Sequence, residues 1–135
     1  MAGYSSRPLR DKLGIRPESR VALLQAPSGY LEQLQPLPPA VSPRTALGRG
    51  RFDFIQFFTT SHRELRSRFP ALQRALEKDG ALWVSWPKRA AKVETDVTED
   101  VVRAVALAHG LVDVKVCAVD EVWSGLKLVV RLKDR

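Results

Sequence analysis

The sequence predicts a single α/β domain on a mostly parallel five-stranded sheet whose last strand runs antiparallel. Three observations carry this. Short apolar runs that read as buried strands alternate with stretches whose apolar residues recur at helical spacing. The last two runs, VDVKVCAVD and SGLKLVVRL, are separated by too few residues for a parallel crossover, so they must be antiparallel neighbours. A chain of 135 residues suits one hydrophobic core and not two.

Taken in order, the opening residues predict a short helix from Pro8 to Leu13, stopped by Gly14 and Pro17. RVALLQAP then reads as a buried strand closed by a proline. Ser28 is placed to cap a short helix through Tyr30, Leu31 and Leu34. The segment from Gln35 to Gly50, QPLPPAVSPRTALGRG, carries four prolines and is expected as a semi-rigid loop. FDFIQFFTT, dense in aromatic and β-branched residues, is the second strand.

Ser61 and Glu64 have the spacing of a capping box, and the helix after them presents Leu65, Phe69, Leu72 and Leu76 on one stripe. Pro70 is expected to kink or divide that helix, and Asp79 and Gly80 to end it. ALWVSWP forms the third strand and KRAAKVETD an exposed loop. Asp96 with Glu99, or Thr98 alone, then caps a helix whose inward face is Val101, Val102, Val105 and Ala108, with Gly110 as its stop. A turn is expected around Trp123 to Gly125, between the last two strands.

The whole chain, 1–135, is read as one domain. It has 22 Lys and Arg against 15 Asp and Glu, a net charge of +7 that favours polyanionic partners without specifying one. Local basic excesses fall at Arg44, Arg49 and Arg51, at Arg63, Arg66 and Arg68, and at Lys88, Arg89 and Lys92. No apolar run approaches the roughly 20 residues of a membrane span, and MAGYSSRPLRDKLG lacks the apolar segment of a secretory signal, so a cytoplasmic protein is expected. The single Cys117 cannot form an internal disulfide and is expected to be buried in VKVCAV; no metal site is expected.

Two resemblances add to this. KLGIRPESRVALLQAP, FDFIQFFTT, ALEKDGALWVSWPK and LVDVKVCAVDEVWSGLKLVVR resemble a family of small bacterial proteins of unknown function, common in actinobacteria, over nearly the whole chain. The order of elements also resembles the Rossmann-like, three-layer fold of S-adenosylmethionine-dependent methyltransferases in reduced form. Arg20 and Val21 open strand one as in that pattern, Asp53 stands near the start of a following strand, LEKDGALWV matches the turn before its fifth strand, and residues 113 to 131 match its final hairpin.

The methyltransferase resemblance implies a glycine-rich turn after strand one and an acidic residue for the cofactor ribose. The turn here is QAPSGY, in which Pro27 has no amide donor and Ala26 and Ser28 carry side chains where close backbone approach is needed. About twenty-five residues separate strand one from the next strand, too few for the two further strands of the family pattern. No cofactor is therefore expected. Strand one is left at a sheet edge, to be covered by the proline loop or by a second subunit in a homodimer.

Open parallel sheets bind ligands beyond the carboxyl ends of their strands. The residues expected there are Ser28 and Gly29, Thr60, Trp86 and Lys88, Asp120 and Glu121, and Trp123 and Ser124. Together they suggest a pocket with two aromatic walls and a lysine that attracts a small anionic ligand. The structural alternative makes the tryptophans core and pairs Lys88 with Asp120 or Glu121. Asp120 and Glu121 are adjacent on extended chain and point apart. His62 and His109 fall at opposite helix ends, and Ser85 has no triad companions. No catalytic residue is assigned. The expectation is a non-catalytic interaction or regulatory protein, with an unidentified protein partner. The alternatives are a small-molecule-binding protein or unusual enzyme using this pocket, and a nonspecific polyanion or nucleic-acid binder.

Overall fold

The computed structural model describes residues 7–135; residues 1–6, part of the single domain read from the sequence, lie outside the described residues. The sheet has five strands, β1 (Val21–Leu24), β2 (Phe52–Phe58), β3 (Leu76–Pro87), β4 (Leu111–Ala118) and β5 (Trp123–Val130), in the spatial order β1-β2-β3-β5-β4. β1, β2 and β3 are parallel, while β5 is antiparallel to both β3 and β4. This is the mostly parallel sheet with one reversed strand that the short β4–β5 connection requires.

Side-chain alternation along the strands divides the core into two layers. On one face Ile55, Phe57, Leu82, Val84 and Leu126 pack beneath α3 (His62–Arg74) and α4 (Glu99–Ala108). On the other, Phe54, Phe58 and Trp83 pack beneath the short α1 (Leu9–Leu13) and α2 (Tyr30–Leu34), with Leu37 and Val41 of the proline loop completing the cover. Trp83 ties α1 to the sheet within this second layer, its indole Nε1 donating to the Leu13 carbonyl at 3.0 Å.

The proline loop contains no named element, yet one of its residues enters the sheet. Arg44 bridges Ala22 in parallel: Leu23 N donates to Arg44 O and Arg44 N to Val21 O, both at 2.8 Å. A sixth strand is thus reduced to a single residue on the outer side of β1. Arg44 thereby binds two of the outward backbone groups of β1, Val21 O and Leu23 N.

Several local expectations are corrected. Gly29, with φ +82°, is the N-cap of α2, and Ser28 makes no capping hydrogen bond. α3 runs unbroken through Pro70, whose missing donor affects only the carbonyl at exposed Arg66. The helix ends at Arg74, and β3 begins at Leu76 rather than Ala81. The register steps from Phe52↔Leu76 to Phe54↔Ala81, so Glu77–Gly80 bulge outward. Gly80 is required there, because a Cβ would lie 2.9 Å from the Asp53 carbonyl oxygen.

In α4 the buried residues are Val102, Val105 and Ala106, and Ala108 is exposed because, at about 100° per residue, it lies roughly 120° round the helix from Val102. The β4–β5 turn precedes Trp123 and is held by Asp120 Oδ1, which accepts from Val122 N and Trp123 N at 2.8 Å each. Cys117 is half-buried, facing the α1/α2 layer at the less covered side of the sheet. No helix among the described residues is long and apolar enough to cross a membrane.

Candidate functional site

The order of connections sets where a ligand crevice belongs. From β1 the chain moves outward to Arg44 and then returns across to β2, so the direction of travel reverses between β1 and β2. Open α/β sheets bind ligands beyond the strand ends at such a reversal.

In this chain that space is occupied by its own side chains. Gln25, left-handed at φ +57°, directs its amide across the gap, where Nε2 donates to Phe58 O at 2.9 Å and to Glu64 Oε1 at 3.2 Å. The same Glu64 oxygen accepts from Thr59 Oγ1 at 2.6 Å, and Thr59 Oγ1 accepts from Ser61 N. Glu64 therefore gives only half a capping box: Ser61 Oγ accepts from Glu64 N, but the carboxylate faces Gln25 and Thr59. The amide of His62 is taken by Asp96 Oδ1 at 2.7 Å, so Asp96, one of the two caps expected for α4, serves α3 instead. Thr98 alone caps α4.

Below the crevice a buried chain of hydrogen bonds joins α2 to the sheet. Tyr30 Oη donates to Gln56 Oε1 at 2.6 Å, and Gln56 Nε2 donates to Ser85 Oγ at 3.1 Å. Burial, opposed in part by the Gln56 hydrogen bond, pushes the Tyr30 phenol well above its ordinary range; Cys117 and Asp120 add to the rise. The folded pKa exceeds the unfolded value of about 10, so this stabilisation is complete below that pH and is lost as pH rises above it. Tyr30→Phe is expected to flatten the loss of stability above about pH 10, measured as the urea midpoint at each pH, and to leave the slope below that pH unchanged.

The predicted site residues do gather at the carboxyl end of the parallel strands, but on two faces. Register pairs Trp86 with Ser124 and Pro87 with Trp123. Trp123 therefore points to the α2 side, edge-on to Phe58 at 5.2 Å, which is itself edge-on to Tyr30. Trp86 points to the α3/α4 side and is buried. The two tryptophans do not form one aromatic wall. Asp120 is engaged in its turn, Glu121 is exposed, and Ser28 and Gly29 lie over β1, away from the Trp86 side. Thr60 presents its carbonyl to Thr95 Oγ1 at 2.8 Å, pinning the 88–98 loop.

Trp86, Lys88 and Ser124 come together in an open cleft of about 680 Å³ between the ends of β3 and β5, the loop after β3, and the start of α4. Arg89, Thr95 and Thr98 also line it, residues that the list drawn from sequence lacked. The cleft contains Glu99 and Asp100 as well, and both carboxylates pair with Arg103, which also binds Asp113. Lys88 and Arg89 stand with these carboxylates around an apolar floor at Trp86, with hydroxyls beside it.

No protein-family model matches the sequence, and no curated protein matches it. Solved structures do match in fold. The ribosomal protein L11 methylase of Lactobacillus delbrueckii subsp. bulgaricus aligns at a TM-score of 0.60 and 14% identity, over 91% of this chain and 75% of that one. The magnesium protoporphyrin IX methyltransferase of Synechocystis PCC 6803, with bound SAM, aligns at 0.61 and 12%, over 91% and 74%. A SAM-dependent methyltransferase of Aquifex aeolicus aligns at 0.62 and 16%, over 89% and 87%. The fold is the Rossmann-like α/β fold of the SAM-dependent methyltransferases.

Proposed function

We propose that this chain is a non-catalytic ligand-binding and regulatory protein on a methyltransferase-like fold, its ligand site displaced from the β1–β2 crevice to the cleft at Trp86. The observation that carries this reading is the Gln25 amide, hydrogen-bonded across the crevice to Phe58 and Glu64. S-adenosylmethionine does not fit these residues. Its methionine and ribose would need the space held by Gln25, Glu64 and Thr59, and the neighbouring strand that would carry a ribose-binding acid is reduced to Arg44. The resemblance to a small bacterial family adds no activity.

The proposed ligand is a small molecule with one anionic group on a flat or apolar body. Lys88 and Arg89 supply positive charge beside Glu99 and Asp100, Thr98 and Ser124 supply hydroxyls, and Trp86 supplies an apolar surface. Native mass spectrometry of gently purified protein tests this. The expected result is an added mass of metabolite size that disappears in Lys88→Ala/Arg89→Ala while the circular dichroism spectrum is unchanged. Bare protein from the wild type, or an added mass that survives the double substitution, contradicts it.

A further inference from the structure

Two of the basic groups seen in the sequence, around Arg49 and around Arg63, are separated along the chain by β2. The fold makes them continuous. Arg63, Arg66 and Arg74 are spaced three and eight residues apart on α3, which at about 100° per residue places them on one outward line. All three are exposed. The C-terminal end of that line meets the start of β2, because Phe52 N donates to Ala75 O at 2.7 Å.

Arg49 and Arg51, also exposed, immediately precede Phe52, and Leu47 beside them packs into the core layer under α3. Arg20 completes the group. Its guanidinium stacks on the Phe52 ring at 4.5 Å and donates from Nη2 to Arg49 O at 3.2 Å. Gly50, at φ +83°, lies against this guanidinium, where a Cβ would require the Arg20 side chain to shift.

None of these six arginines has a carboxylate partner among the described residues. The one acid early in α3, Glu64, is turned inward to Gln25 and Thr59, and Asp53 accepts from the Arg20 backbone amide. Six unneutralised guanidinium groups in one strip repel one another, and an extended anion relieves that repulsion.

We infer that this strip binds the phosphate backbone of a nucleic-acid duplex. The cations are all arginine, whose planar fork binds phosphate oxygens in pairs, and those on α3 lie about one and about two turns apart along the helix. The aromatic rings at the strip, Phe52 and Phe57, are buried beneath Arg20 and Arg68, so stacking on unpaired bases is not offered. The large exposed apolar residues, such as Leu31, Val93 and Val116, lie on other elements, so the strip has nothing to insert into a bilayer. Backbone contact of this kind carries little sequence preference.

The strip is distinct from the Trp86 cleft, so its test is independent of the ligand reading. Fluorescence anisotropy with a labelled DNA duplex of about 20 base pairs, at several salt concentrations from about 50 to 200 mM, reads the slope of log affinity against log salt. Arg63→Ala/Arg66→Ala/Arg74→Ala is expected to weaken binding and to make that slope shallower by about 0.9 for each arginine that contacts a phosphate, equally for two unrelated sequences. Lys133→Ala, elsewhere on the surface, is expected to leave both unchanged. Failure of the wild type to bind at the lowest salt, or undiminished binding by the folded triple variant, overturns the proposal. Capture by phosphatidylserine vesicles as strong as capture by the duplex also overturns it, assigning the strip to a membrane surface.

Discussion

Trp83→Ala is expected to destabilise the fold by about 3–5 kcal/mol, read as a lowered urea midpoint with an unchanged slope. Trp83 is fully buried in the central strand β3, and its indole provides the buried hydrogen bond tying α1 to the sheet, beside the more exposed ones of Lys12 and Lys115. Its removal leaves a cavity and takes away the partner of the Leu13 carbonyl. The ring also depends on Gly125, where a Cβ would come within 3.1 Å of Trp83 Cε3. A loss below about 1 kcal/mol would mean that α1 and the sheet are not coupled through this side chain.

The second large effect is expected at Gln56. Gln56→Leu leaves the Tyr30 hydroxyl and the Ser85 hydroxyl without their partner in a buried layer, each at a cost of about 1–3 kcal/mol. Adding Tyr30→Phe to Gln56→Leu is expected to restore part of that loss, because the orphaned hydroxyl goes with it. Chemical denaturation of the two single variants and the double variant measures the coupling. Strictly additive losses would show that Tyr30 and Gln56 do not act through their 2.6 Å hydrogen bond.

Much of the architecture is legible from local chemistry. Ser61 and Thr98 cap the helices they were expected to cap, Gly14 and Gly110 adopt the positive φ that ends a helix, and the short link between β4 and β5 forces their antiparallel pairing. What escapes the sequence is mostly long-range. Asp96 serves α3, 34 residues earlier, rather than the helix that follows it. Arg44 pairs with β1 through backbone groups that any non-proline residue carries. The inward turn of Glu64 depends on Gln25 and Thr59, which only the parallel pairing of β1 and β2 brings together.

The site shows the same division. The strand ends were legible, and so were the residues beyond them. Their faces depend on register, and Trp86 and Trp123 part because Trp86 is opposite Ser124 in the β3–β5 ladder. The bulge at Glu77–Gly80 was hidden because EKDG reads as a turn until the close approach of Gly80 to Asp53 and Phe52 draws it into the strand.

The central claim is that the crevice between β1 and β2 is closed by Gln25 and does not accept the methyltransferase cofactor. Amide NMR of the labelled protein, titrated with S-adenosylmethionine to about 1 mM, tests it most directly. The expected result is no saturable shift at residues 24–30 or 58–61. A saturable shift centred on Gln25 to Gly29 and Thr59 to Ser61 would contradict it and return the chain to the cofactor-binding methyltransferases.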